Sequence, residues 1–164
     1  MARYRMRQRL ISLGEDFTIE DAQGRPAFRV DGKVMRIRET FEITDLQGRE
    51  VVTVREKKIA IRDSMKILRG GETIATVRKA LISPFRDRFG VEVAGGEDLR
   101  VKGDILDHAY EIRRGGRTVA EVSKKWFTLT DTYGIDVAEG EDEGLILGVV
   151  VALDEMAHDP GEEK

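Results

Sequence analysis

A large apolar residue followed two places later by a β-branched one recurs along this chain: Phe17/Ile19, Phe41/Ile43, Met65/Ile67, Phe89/Val91, Tyr110/Ile112 and Tyr133/Ile135. The first members are 24, 24, 24, 21 and 23 residues apart. Each pair leads into a turn signal: Asp21-Ala22-Gln23-Gly24, Asp45-Leu46-Gln47-Gly48, Gly70-Gly71, Gly95-Gly96, Gly115-Gly116 and Gly140. A second alternating run follows the first five turns, at Phe28/Val30, Val52/Val54, Ala75/Val77, Leu99/Val101 and Ala120/Val122. Alternation, a glycine turn and alternation again is the pattern of a β-hairpin, with glycine supplying the positive φ of the turn. Five hairpins give ten strands. A strand around Tyr4 to Ile11 and another around Tyr133 to Ala138 bring the expected number to twelve.

The sixth repeat breaks after Gly140. Where a partner strand is due, Leu145 to Leu153 reads Leu-Ile-Leu-Gly-Val-Val-Val-Ala-Leu, with no polar side chain. Acids lead into it (Glu139, Glu141, Asp142, Glu143) and Pro160-Gly161 follow, which is the punctuation of a helix. The β-branched Val149 to Val151 leave a buried strand as the competing reading. A helix that is apolar on every side belongs inside something. Twelve antiparallel strands in one flat sheet would expose two edges, and closure into a barrel removes both. At about 4.8 Å between strands and a tilt near 40°, such a barrel has a radius of roughly 11–12 Å. That is too wide for wall side chains alone to fill, and a helix about 10–12 Å across fits the remaining space. Gly148 and Ala152, four residues apart, would let the helix approach the wall. The expected fold is therefore mainly β: a closed twelve-stranded antiparallel barrel around a central C-terminal helix. A two-sheet sandwich with the helix packed outside is the alternative.

Length and composition narrow the picture. The chain has 164 residues, enough for one domain with a substantial core. We expect a single domain over 1–159, a helix at about 141–158, and a disordered tail at 160–164. Lys+Arg 28 against Asp+Glu 31 leaves a net charge of −3, which gives no electrostatic case for nucleic-acid binding. Cysteine is absent, excluding disulfides and thiolate chemistry. The basic start, Met1 to Arg9, is followed by no apolar run of signal-peptide type, and Leu145 to Leu153 is far below the ~20 residues of a membrane span. These features fit a cytoplasmic protein.

Candidate chemistry is sparse. His108 and His158 stand in unrelated contexts without metal-site spacing and read as ordinary surface or capping histidines. No nucleophile elbow or phosphate-binding loop is present. Asp136, Glu139, Glu141, Asp142 and Glu143 could converge on a divalent cation, but they lack EF-hand spacing and read better as turn and helix-start acids. No catalytic residue, metal ligand or cofactor is assigned. The pattern that repeats with the fold is basic: Lys33, Lys57, Lys58, Arg78, Lys79, Lys102, Lys124 and Lys125 follow the second-strand valines. Equivalent positions of successive hairpins would share one end of the barrel, opposite turns that carry Glu72, Glu97, Asp98, Glu141 and Asp142. A basic rim would attract anionic head groups or phosphates. The plain alternative is that these cations solvate the outer wall and discourage edge pairing.

The segment Ser123-Lys124-Lys125-Trp126-Phe127, then Asp131 to Ala138, Asp142-Glu143 and the apolar helix, resembles the C-terminal signature of the LURP-one-related family. The opening, Tyr4 to Arg9 followed by Ser12 to Ile19, resembles its bacterial members. The likeness runs from about Tyr4 to Met156. It implies the Tubby C-terminal-like fold, shared with phospholipid scramblases: a twelve-stranded barrel around a hydrophobic helix. It implies no defined activity. Tubby relatives bind phosphoinositide head groups, but none of their lipid-contacting residues is carried over to this chain. The expected function is a non-enzymatic binding module that recognises an anionic membrane lipid or a phosphorylated ligand at the basic rim, peripheral at a membrane when bound. The alternative is a structural or regulatory domain with a protein partner.

Overall fold

The computed structural model describes residues 2–7, 16–32, 40–57, 64–83, 86–126 and 132–157. Twelve strands and one helix form in chain order. The strands are β1 (Ala2–Arg7), β2 (Phe17–Asp21), β3 (Pro26–Gly32), β4 (Thr40–Thr44), β5 (Glu50–Lys57) and β6 (Ser64–Arg69), then β7 (Glu72–Ser83), β8 (Arg86–Val93), β9 (Leu99–Asp104), β10 (Ala109–Arg114), β11 (Arg117–Ser123) and β12 (Thr132–Val137). The helix, α1, spans Glu143–Ala157. Each strand pairs antiparallel with its neighbours in sequence, and β1 pairs with β12 from Ala2↔Val137 to Arg7↔Thr132. The ring is closed, which excludes the sandwich. The expected tail at 160–164 lies outside the described residues.

The hairpins share their local chemistry. At Asp21 and Asp45 the carboxylate Oδ1 accepts the backbone N–H groups two and four residues on, at 2.9 Å each. Gly24 and Gly48 supply φ of 81° and 84°. These are Asx-type turns, in which a short acidic side chain takes over backbone donors that the tight reversal leaves unpaired. A register shift follows the inward isoleucine of four hairpins, after Ile19, Ile43, Ile67 and Ile112. Bulges bend and twist a strand, as closing a sheet on itself requires.

The hairpin turns gather at one end, the turn pole. α1 starts there, because β12 ends beside the β10–β11 hairpin. Asp142 precedes the helix and accepts Leu145 N–H on its side chain at 3.1 Å and Ile146 N–H on its carbonyl at 3.1 Å, so it is the N-cap. The helix then runs down the lumen to the exit pole. Ile146, Leu147, Val149, Val150, Val151, Ala152 and Leu153 are all essentially without solvent exposure, which only a helix enclosed on every side achieves. It lies against β5, β6 and β7. A Cβ on Gly148 would sit 3.1 Å from Val52 Cγ2 and 3.3 Å from Ile67 Cγ2, and one on Gly144 would overlap Val51 Cγ1. The helix thus touches that wall through its glycines, where a larger residue would push Val51 aside at Gly144 and crowd Val52 and Ile67 at Gly148.

Candidate functional site

With the lumen filled by α1, the surfaces left for recognition are the outer wall and the two poles. At the turn pole the acids are held by arginines. Asp142 forms a bidentate pair with Arg69 (2.9 and 3.0 Å), and Glu141 takes both bonds from Arg114 Nη1 (2.6 and 2.7 Å). On the adjoining wall Asp136 pairs with Arg3 (2.6 and 2.8 Å). Glu143 accepts the Tyr4 hydroxyl at 2.6 Å. The Arg69 bonds hold the Asp142 carboxyl below its usual range. Asp136, Glu141, Asp142 and Glu143 therefore each have their own partner, and no group of metal-ligating side chains converges among the described residues.

Of the cations singled out in the sequence, Lys57, Arg78, Lys79, Lys102, Lys124 and Lys125 fall among the described residues. Lys57 ends β5, although its side chain, like Lys33 and Lys58, lies outside the described residues. Arg78 is level with Lys57 through the register Lys57↔Ser64↔Arg78 and pairs with Glu92 at 3.1 Å. Lys79 is half-buried. Lys102 is exposed on the wall opposite Glu111, whose carboxyl is held low chiefly by its hydrogen bond from Arg113, with Lys102 a smaller contributor. Lys124 lies 3.6 Å from Asp107, and Lys125 is exposed beside it. β5 and β11 are six places apart in the ring of twelve, so Lys57 and Lys124–Lys125 stand on opposite sides of the exit pole. The described cations are spaced around the barrel rather than gathered in one patch.

One cluster at this pole departs from the sequence reading. His108 is no surface histidine: its side chain is 0% exposed. It sits in the β9–β10 turn, where its N–H donates to the Ile105 carbonyl at 3.2 Å, and its ring enters the barrel. Nε2 is 2.7 Å from Asp154 Oδ1 on α1, and the ring stacks on Tyr133 with centroids 4.0 Å apart. The Tyr133 hydroxyl donates to Asp154 Oδ2. Tyr110 is buried close enough to feel the Asp154 charge. The partners are 46 and 21 residues from one another in sequence, so no spacing motif marks them. The available signal was Asp154 itself, an acid directly after an apolar run that had to be buried.

This cluster has a consequence at high pH. Burial, then the Asp154 charge, pushes the hydroxyls of Tyr110 and Tyr133 well above 10, and burial followed by the bond to Glu143 raises Tyr4. A group raised in the folded state contributes stability that is full below its unfolded pKa and is lost above it. The two buried tyrosines alone should therefore cost about 3 kcal/mol of stability per pH unit above about 10. An alkaline titration followed in the ultraviolet should show all three tyrosines of the chain ionising together with unfolding. Any tyrosinate appearing while the far-ultraviolet circular dichroism is still native would contradict this.

The fold has a solved counterpart: the X-ray structure of an Arabidopsis thaliana protein matches with a TM-score of 0.70 at 22% identity, over 95% of this chain and 91% of that one. The chain is also similar to the uncharacterized protein YxjI of Bacillus subtilis, 25% identical over 158 residues, which are 96% of this chain and 95% of the relative. The sequence profile described as LURP-one-related matches residues 2–154, from the first strand of the ring to the buried aspartate of the helix, and the chain belongs to that family.

Proposed function

We propose that the chain is a non-enzymatic binding module that takes anionic groups, lipid head groups or phosphorylated ligands, at the exit pole. The observation that supports this reading is the polarity of the barrel. Asp142 and Glu141 lie at the turn pole, paired with Arg69 and Arg114, while β5 ends in Lys57 and Lys124 and Lys125 follow β11 at the opposite pole. The filled lumen adds to it, because recognition then falls to the outside of the molecule. A second reading, a domain that engages a protein partner, is favoured by the pairing of Arg78 with Glu92 and of Lys124 with Asp107, which offsets part of the basic charge. No helix among the described residues is long and apolar enough to cross a membrane.

Flotation with neutral and with anionic vesicles over a salt series separates the two readings. Binding to anionic vesicles should weaken as ionic strength passes ~0.1 M, where the Debye length is about 10 Å. The triple variant Lys58→Glu, Lys79→Glu, Lys125→Glu should lose it. At about 1 kcal/mol per cation, losing the three attractions alone weakens binding roughly a hundredfold. At the exposed Lys125 the charge change should matter by less than ~0.5 kcal/mol, while Lys79 is half-buried, so a thermal melt of the variant is the control for its folding. No wild-type binding at low salt, or a triple variant that binds like wild type, would remove the lipid reading.

A further inference from the structure

We propose that His108, Tyr133 and Asp154 form a lock that sets the rotational and axial register of the central helix and keeps its C-terminal turns seated in the barrel. The need for a lock follows from the sequence of α1. A helix that is apolar all round gains the same burial in any rotation about its axis, and a shift of one turn changes little apolar area. Something other than hydrophobicity must choose one seating. Near the turn pole the close approach of Gly144 to Val51 and of Gly148 to Val52 and Ile67 favours one seating, because other helix residues would bring a Cβ against that wall. The Asp142 cap and the Tyr4–Glu143 bond fix the same end. From Val149 onward the side chains are aliphatic up to Asp154, the first polar group of the helix interior.

The lock reaches Asp154 from two independent elements. His108 comes from the β9–β10 turn and Tyr133 from β12, and they meet the two carboxylate oxygens separately. Tyr133 also reaches Met6 Sδ on β1 at 3.8 Å. Rotating the helix by one residue, about 100°, or sliding it by one turn would carry the carboxylate away from both donors into apolar wall. Buried polar groups often cost stability relative to apolar ones, and fixing register is their best-attested use.

The backbone at His108 is the second observation. Its φ of 49° makes it the one non-glycine residue at positive φ among the described residues, whereas glycine occupies the corresponding conformation in the hairpin turns. A left-handed residue is easiest for glycine and then for asparagine. The turn itself would be served better by glycine, so the imidazole is held in spite of the backbone. Asp154 marks the groups that face it: His108 and Tyr133 in direct contact and Tyr110 within charge range.

The experiment is native-state hydrogen exchange on the full chain. His108→Gly keeps or improves the turn and removes only the ring. Amides of Val149 to Ala157 should then exchange faster by roughly tenfold to a hundredfold, the effect of losing a hydrogen bond to a charged group, while those of β5, β6 and β7 keep their protection. The combined variant His108→Leu, Tyr133→Phe, Asp154→Leu should remain a folded barrel, with its helix amide resonances multiplied or broadened by alternative seatings. Unchanged helix exchange in His108→Gly, or a rise shared equally by the whole barrel, overturns the lock. So does a combined variant with a single sharp set of helix resonances. If the combined variant does not fold, Tyr133→Phe decides: it removes one donor without changing volume, and it should raise exchange in the same helical turns alone.

Discussion

Val150→Asp should yield no folded protein. Val150 is fully buried in the middle of α1, within a lumen lined by Ile43, Val54 and Ile67 and by other inward side chains. A carboxylate there would be desolvated with no designed partner, at a cost of several kcal/mol for the ion or for the unpaired acid. The whole stability of a domain is about 5–15 kcal/mol, and the substitution also removes the valine's packing. The same helix carries an acid four residues later, but Asp154 meets His108 and Tyr133, so the outcome turns on the partner and not on the charge alone. Expression in the soluble fraction and a cooperative thermal transition by circular dichroism are the measurements. A soluble, cooperatively unfolding Val150→Asp protein would show that the helix does not fill a dry interior.

A chain ending at residue 143 should fare no better. It would retain every strand of the ring and lose only the filling. Each leucine, isoleucine and valine from Leu145 to Leu153 contributes about 1.5–3 kcal/mol by burial. Together they exceed the net stability of the domain, and the inward faces of the wall lose their packing as well. The fragment is expected to aggregate or to remain unfolded. A folded, monomeric 1–143 fragment, seen by size exclusion and dispersed amide resonances, would mean that the wall supports itself.

Those expectations come from features that were open to reading in the sequence. The hairpin repeat is local: alternation and a turn residue occupy neighbouring positions, so twelve strands and the glycine turns could be placed from spacing. The helix was legible for the opposite reason, since its lack of any polar face leaves only an interior site. Its bounds, Glu143–Ala157, fall inside the expected 141–158. The opening strand is described only to Arg7, short of the expected Ile11. What spacing could not supply was the pairing of elements far apart in the chain. Arg3 with Asp136, Arg69 with Asp142 and His108 with Asp154 are set by strand order and barrel shear, which no local window contains. The recurring cations were legible as a pattern, but which of them meet Glu92 or Asp107 depends on cross-strand register and on how the links fold.

The closed order of the strands also limits how anything can associate with this protein. Peptides and misfolded copies commonly add themselves to a sheet by pairing with the backbone of an edge strand. Here β1 and β12 pair over six residues, so the chain's first strand is committed instead of being left as an edge. The commitment is uneven. β8 and β9 share only the pairs Gly90↔Arg100 and Val91↔Leu99, although β8 starts at Arg86 and β9 continues to Asp104. Along the well-zipped part of the wall a partner has side chains to read and no backbone to extend. The β1–β2 seam is as short, with Tyr4↔Asp21 and Arg5↔Glu20, so if strand addition occurs on this molecule, these two seams are where the main chain has donors and acceptors least engaged across the ring.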